Sequence, residues 1–181
     1  YILCQSDDGV ILVDQHAAHE RITYEKMKTQ LDRGQLAEQV MLTPEPWHPG
    51  LEIAAWLSDH AGELRVFGVD LDQSGEESFS IRSVPALLSG ESPVELVAEL
   101  VDACMLIGAQ AEGRSRVLER WLGNRACKGS IKAGRVLSRE DQIALLREME
   151  KTSNIAQCNH GRPTYVRLSL NDLDRLFGRK E

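Results

Sequence analysis

At Asp14 the period of the apolar pattern changes, and this change constrains the chain more than any other feature. Before it, Tyr1–Cys4 and Val10–Val13 are short apolar runs on either side of Ser6-Asp7-Asp8-Gly9, a turn composition that predicts a β-hairpin. After it, Ala17, Tyr24, Met27 and Leu31 recur at every third or fourth residue or a multiple of that step, as on one buried side of a helix. The helix is predicted from about His16 to Asp32, with Gly34 as its stop.

Glu20 falls on the same stripe, between Ala17 and Tyr24. A carboxylate facing inward needs a partner, because an unpaired buried charge is costly. His16 lies one turn earlier on the same face. Asp14 stands at the junction, where an Asp caps the first backbone N–H groups of a helix. Asp, His and Glu are all ligands for zinc or manganese, so the trio makes a candidate metal pocket. Spacing alone fits equally well, and more commonly, a structural ion pair for Glu20 and a cap for Asp14.

Downstream, Gln39–Pro49 is rich in proline and reads as a connection and domain boundary. Leu51–Leu64 reads as an amphipathic helix, and Arg65–Leu71 and Ser78–Val84 as strands about the turn Gln73-Ser74-Gly75. Pro93–Ile107 opens with proline in its first turn, as helices tolerate. Arg114–Trp121 continues helically after a break at Gly113, and a second boundary falls between Ile107 and Asn124. Ser138 with Asp141 three residues later starts another helix. Thr164–Leu168 is a strand and Leu170–Phe177 a short helix. The mixed order predicts an α+β fold, in two subdomains.

Cys158-Asn159-His160 lies between a predicted helix and strand, followed by Gly161-Arg162-Pro163. Glycine and proline shape a turn there, and a thiol and an imidazole two residues apart can reach one metal. This is less than a full four-ligand zinc signature. Cys127 is a further candidate thiolate, with Arg125 and Lys128 beside it, although a lone helical cysteine is more often core. Asp14, His16, Glu20, Cys127, Cys158 and His160 together offer oxygen, nitrogen and sulfur. Such a set closes around one structural zinc, or holds one or two ions with positions left open for catalysis.

The net charge of −7 argues against a strong autonomous DNA-binding domain, since tight phosphate binding needs concentrated Lys and Arg. No window is apolar enough to span a membrane. Tyr1 opens directly into an apolar run with no signal-peptide organisation and no initial Met, which reads as a piece excised from a longer cytoplasmic protein. The four cysteines, Cys4, Cys104, Cys127 and Cys158, are then expected as reduced thiols rather than a disulfide framework.

Asp14-Gln15-His16-Ala17, Glu20 and Glu25 resemble the DQHA(X)2E(X)4E endonuclease signature of MutL DNA mismatch-repair proteins. Cys158–Pro163 resembles that family's C-(P/N)-HGRP motif in full. Ala126-Cys127-Lys128 resembles its ACR motif with Lys in place of Arg, which exchanges a bidentate phosphate grip for a point charge. Phe177-Gly178-Arg179 is similar to its terminal FxR motif, and Gln39–Pro44 to its Qxx(L/I)xP sliding-clamp motif. The matches run from Asp14 to Arg179, with none in Ala54–Asn124.

The resemblance implies the C-terminal domain of a protein with an N-terminal ATPase. Residues 1–38 and 124–181 would form a dimerisation subdomain with the linking long helix and metal site; 39–123 would be an inserted regulatory subdomain. It implies a nicking DNA endonuclease using Zn²⁺ and/or Mn²⁺. Its catalytic residues would be Asp14, His16 and Glu20, with Cys127, Cys158 and His160 completing the metal ligands. Arg162, Arg179 and Lys128 would orient phosphate or support the ligands. Glu25 points away from Glu20 in helical phase and is expected behind the ligands or on the surface. Gln39, Leu42 and Pro44 would bind the replication sliding clamp. The expected partners are a second copy, weakly held DNA, the clamp and, through the full-length protein, a mismatch-recognition protein. The apolar strands near Tyr1–Val13 and Thr164–Leu168 are the candidate dimer surface. A non-catalytic dimerisation and clamp-binding module with structural zinc has the same motifs. A cysteine hydrolase using Cys158 and His160 is disfavoured, because so close a pair needs an unusual turn.

Overall fold

The structure, a computed structural model, describes residues 1–109, 114–128 and 136–179, and within them all side chains except those of 107–109, 114–118, 127 and 128. The proposed break at Gly113 lies outside the described residues. The fold is α+β, divided into two compact units: Tyr1–Glu25 with Ser130–Glu181, and Lys26–Gly129. The first division falls inside the first helix, α1 (Gln15–Asp32).

The first unit is built on an antiparallel sheet of three strands, β1 (Ile2–Ser6), β2 (Gly9–Val13) and β6 (Tyr165–Ser169), with β2 in the middle. The pattern break at Asp14 ends β2 and starts α1 without a loop. Gly9 is required where β2 meets β6, because a Cβ there would lie 2.0 Å from the Leu168 carbonyl oxygen. Period-2 alternation puts Ile2 and Val13 on the buried face of the sheet, where they pack with Ala18 and Ile22 of α1 and Leu145 and Met149 of α5 (Arg139–Lys151). Ser138 caps α5 by accepting from the Asp141 N–H at 3.1 Å. The sheet's opposite face carries Leu3, Leu12 and Val166 in one row, with Val10 and Leu168 in the next. Leu3 and Val166 remain 72% and 41% exposed. After β6 comes α6 (Leu170–Leu176), which has no buried residue.

The second unit holds an antiparallel sheet in the order β3 (Glu38–Trp47), β5 (Ser78–Pro85), β4 (Asp70–Gly75). Helices α2 (Leu51–His60), α3 (Pro93–Ala109) and α4 (Arg114–Lys128) accompany it. Phe79, Ile81 and Val84 of β5 are buried, as are Leu96, Val97, Leu100 and Val101 of α3. Phe67 meets Trp121 edge to face, with ring centroids 5.8 Å apart.

Three sequence expectations are corrected here. Gln39–Pro49 is mostly strand rather than connection. Pro44 and Pro46 fit because β3 lies at the sheet edge and its pairing is interrupted: after Val40 opposite Ser83, regular register resumes at Glu45 opposite Ile81. Residues 61–67, read as the end of one helix and the start of a strand, form a 3-10 segment. The β4–β5 turn is Glu76-Glu77, so Gln73-Ser74-Gly75 belongs to the strand. Pairing of Gly75 with Ser78 outweighs the turn propensity of that tripeptide.

Candidate metal centre

The site begins at the junction of β2 and α1. One Asp14 carboxylate oxygen accepts the backbone N–H of His16 at 3.0 Å and of Ala17 at 3.1 Å, a helix cap worth about 1 kcal/mol. Its own N–H donates to the Thr164 carbonyl at 2.8 Å, so the start of α1 is tied to the residue before β6. One turn on, Glu20 is 3% exposed, flanked on the helix by buried Ala17, Ala18 and Thr23. The buried arc of α1 is thus wider than the stripe predicts, with Ala18 and Ile22 inside while Tyr24 and Leu31 are only half-buried.

His16 Nε2 lies 3.0 Å from Glu20 Oε1. Cys158 and His160 come to Glu20 from the other end of the sequence: one ligand atom of each of the three lies within 4.8 Å of the others. Cys158 is buried and His160 exposed. A tight turn sets their spacing. The Cys158 N–H donates to the Arg162 carbonyl at 2.7 Å, and the Gly161 N–H to the Cys158 carbonyl at 3.0 Å. Gly161 has φ +78°, the left-handed region that favours glycine. The His160 N–H points at Cys158 Sγ, 3.4 Å away.

The donor set fits a metal ion on chemical grounds. Glu20 is a buried carboxylate that pairs with no Lys or Arg among the described residues. Its neighbours are imidazole and thiol, each a ligand for zinc or related ions.

Not every sequence candidate joins this cluster. Asp14 is engaged as a cap, and His16 joins through Glu20. The side chains of Cys127 and Lys128 lie outside the described residues. Arg162 and Arg179 are exposed and form no ion pair among the described residues. Glu25 lies against Arg21, 3.0 Å away, and accepts from Asn154 Nδ2 at 3.3 Å. Arg21 and Asn159, joined at 3.2 Å, drew no attention in the sequence. Only the i,i+4 spacing of Arg21 and Glu25 offered a signal.

In the second unit, Gln39, Leu42 and Pro44 are exposed on β3, and Leu42 is displayed without cover at 105% relative exposure. Cys4, Cys104 and Cys158 are not disulfide-bonded. No helix among the described residues is long and apolar enough to cross a membrane.

Comparison with known proteins adds an independent line. The family model described as the MutL C terminal dimerisation domain matches residues 1–137. The DNA mismatch repair protein MutL of Paramagnetospirillum magneticum is 44% identical over 180 residues, which cover 99% of this chain and 30% of that protein. The MutL proteins of Rhodospirillum rubrum (44% over 185 residues) and Rhizobium leguminosarum bv. trifolii (43% over 179) also match 99% of the chain. The chain spans about 30% of the length of these curated relatives.

Proposed function

The chain belongs to the MutL family, and from that premise we propose that it is a metal-dependent endonuclease domain that nicks the strand to be repaired in DNA mismatch repair and joins two copies of its parent protein. One observation carries the reading. A buried carboxylate, Glu20, is surrounded by potential metal ligands and, among the described residues, has no cationic side chain of the Lys or Arg type to neutralise it.

Glu20, Cys158 and His160 would hold zinc or manganese, with His16 orienting the carboxylate. Bound metal supplies a Lewis acid for a phosphoryl oxygen and lowers the pKa of water. The residues around it do the rest. Asp14 fixes the start of α1 and so the phase at which Glu20 faces inward. Arg162, exposed two residues after His160, offers a planar guanidinium to the phosphodiester. The exposure of His160 supports an open site over a closed structural one. The test is nicking of supercoiled plasmid with Mn²⁺, wild type against Asp14→Asn and Glu20→Lys. Nicking by wild type alone is expected. Equal nicking by folded variants rejects the assignment, and no nicking by any form favours a non-catalytic module with structural zinc.

The net charge of −7 makes weak intrinsic DNA affinity the expectation, so a partner must raise the local concentration of substrate. The β3 segment suits the replication sliding clamp: Gln39 for a polar pocket, Leu42 for an apolar one, and Pro44 holding the chain extended. Replacing Gln39 and Leu42 by Ala should remove clamp-stimulated nicking and leave metal binding unchanged; persistent stimulation refutes this. The apolar row Leu3, half-buried Leu12 and Val166, with Leu3 and Val166 exposed, suits the homodimer interface.

A further inference from the structure

We propose that Arg21 is a positioning residue for the metal centre: braced by Glu25, it holds Asn159 and thereby sets Cys158 and His160 against Glu20. The inference rests on reading Glu20, Cys158 and His160 as metal ligands, and it names what aligns them.

The loop's own hydrogen bonds, Cys158 to Arg162 and Gly161 to Cys158, fix its internal shape. They do not fix where that shape stands relative to α1, which supplies the third ligand. The tie at the loop's far end, Asp14 N–H to the Thr164 carbonyl, leaves the ligand-bearing residues to be located separately. Among the described residues, two side-chain ties do so. Arg21 Nη1 donates to Asn159 Oδ1 at 3.2 Å, between the two loop ligands in sequence. Asn154 Nδ2, on the approach to the loop, donates to Glu25 Oε1 at 3.3 Å. Both ties meet at Glu25, whose Oε1 is also 3.0 Å from Arg21 Nη2.

The geometry makes Arg21 the stiff member. Its guanidinium is fixed by Glu25 one turn away and lies over the Tyr24 ring, 5.4 Å from the centroid. Both ionic side chains are well covered, at 16% and 17% exposure, so the pair is less screened than one on an open surface. Asn159 depends on it: its buried Nδ2 has no hydrogen-bond partner among the described residues, leaving the bond from Arg21 to hold the amide. Arg21 also follows Glu20 directly in sequence, so one helical turn carries both a ligand and the brace for the other two. This gives the last Glu of the signature a task although it points away from Glu20.

The test titrates the 181-residue chain with Co²⁺ alone and follows the thiolate-to-cobalt charge-transfer band. In parallel, alkylation of Cys158 without metal is measured by mass spectrometry. Arg21→Ala and Asn159→Ala should each weaken Co²⁺ binding about tenfold, the lower end for residues supporting metal ligands. The double variant should lose no more than either single one, and Arg21→Lys should recover part of the loss. Both Ala variants should also alkylate Cys158 several-fold faster while melting near the wild-type temperature. Wild-type affinity and alkylation in the single variants, or losses that multiply in the double one, overturn the proposal. If wild type gives no cobalt–thiolate band but the variants still speed alkylation, the brace stands and the metal reading falls.

Discussion

Each unit buries a charge, and the two are neutralised in opposite ways. In the second unit Arg125, 1% exposed, lies between Glu91 and Glu99, each 2.5 Å from a guanidinium nitrogen, and also donates to the Glu95 carbonyl at 3.0 Å. A permanent cation is there surrounded by acceptors. In the first unit Glu20 is as well buried, yet its neighbours are two imidazoles and a thiol. Imidazole and thiolate are metal ligands rather than fixed countercharges. A buried charge matched by fixed countercharges serves the fold. One matched by exchangeable ligands leaves a place for an ion, and so a site.

The largest effect should come from Glu20→Gln. Metal binding and nicking should be lost while stability stays within about 1 kcal/mol of wild type, because the amide removes a buried charge that no fixed cation among the described residues balances. Urea unfolding beside a Mn²⁺ titration checks both halves; an unfolded variant would put Glu20 in the same class as Arg125. The reverse substitution in kind is Arg125→Met. It strands the well-covered Glu91 and should cost about 3–5 kcal/mol, as removal of one member of a buried ion pair does. A loss below about 1 kcal/mol by urea unfolding would show that the buried cation is not structural.

The smallest effect sharpens the comparison with a carboxylate in water. Asp172 closes the capping box of Ser169 at the start of α6 by accepting the Ser169 hydroxyl and N–H, which hold its pKa below the usual 3.8. With its folded pKa lowered, its contribution to stability is present above the unfolded value and disappears as pH falls through the folded one. Asp172→Asn should therefore differ slightly from wild type at neutral pH and not at all in strong acid. Thermal melts across that range test this; a difference that grows in acid contradicts the assignment.

What was legible in the sequence follows from how far each interaction reaches. α1 and its inward Glu20 were readable because a helix fixes phase over a few residues. The Ser138 cap was readable for the same reason. β3 was not, since its prolines are acceptable only once the strand is known to lie at an edge. The meeting of Glu20 with Cys158 and His160 spans most of the chain, and their donor chemistry together with family motifs, rather than spacing, suggested it. The Arg21–Asn159 bond and the Arg125 cluster had no local pattern. Each joins residues whose proximity is a product of the finished fold.

The interruption in β3 has a consequence for solubility. An open sheet edge ordinarily invites another strand, and a fully exposed Leu42 makes such an edge more adhesive. Pro44 and Pro46 supply no amide hydrogens, and the lost register after Val40 breaks the template that an incoming strand would copy. The chain can therefore display a greasy side chain on an open border without seeding cross-strand aggregates. A partner must grip side chains there, because little continuous backbone is on offer.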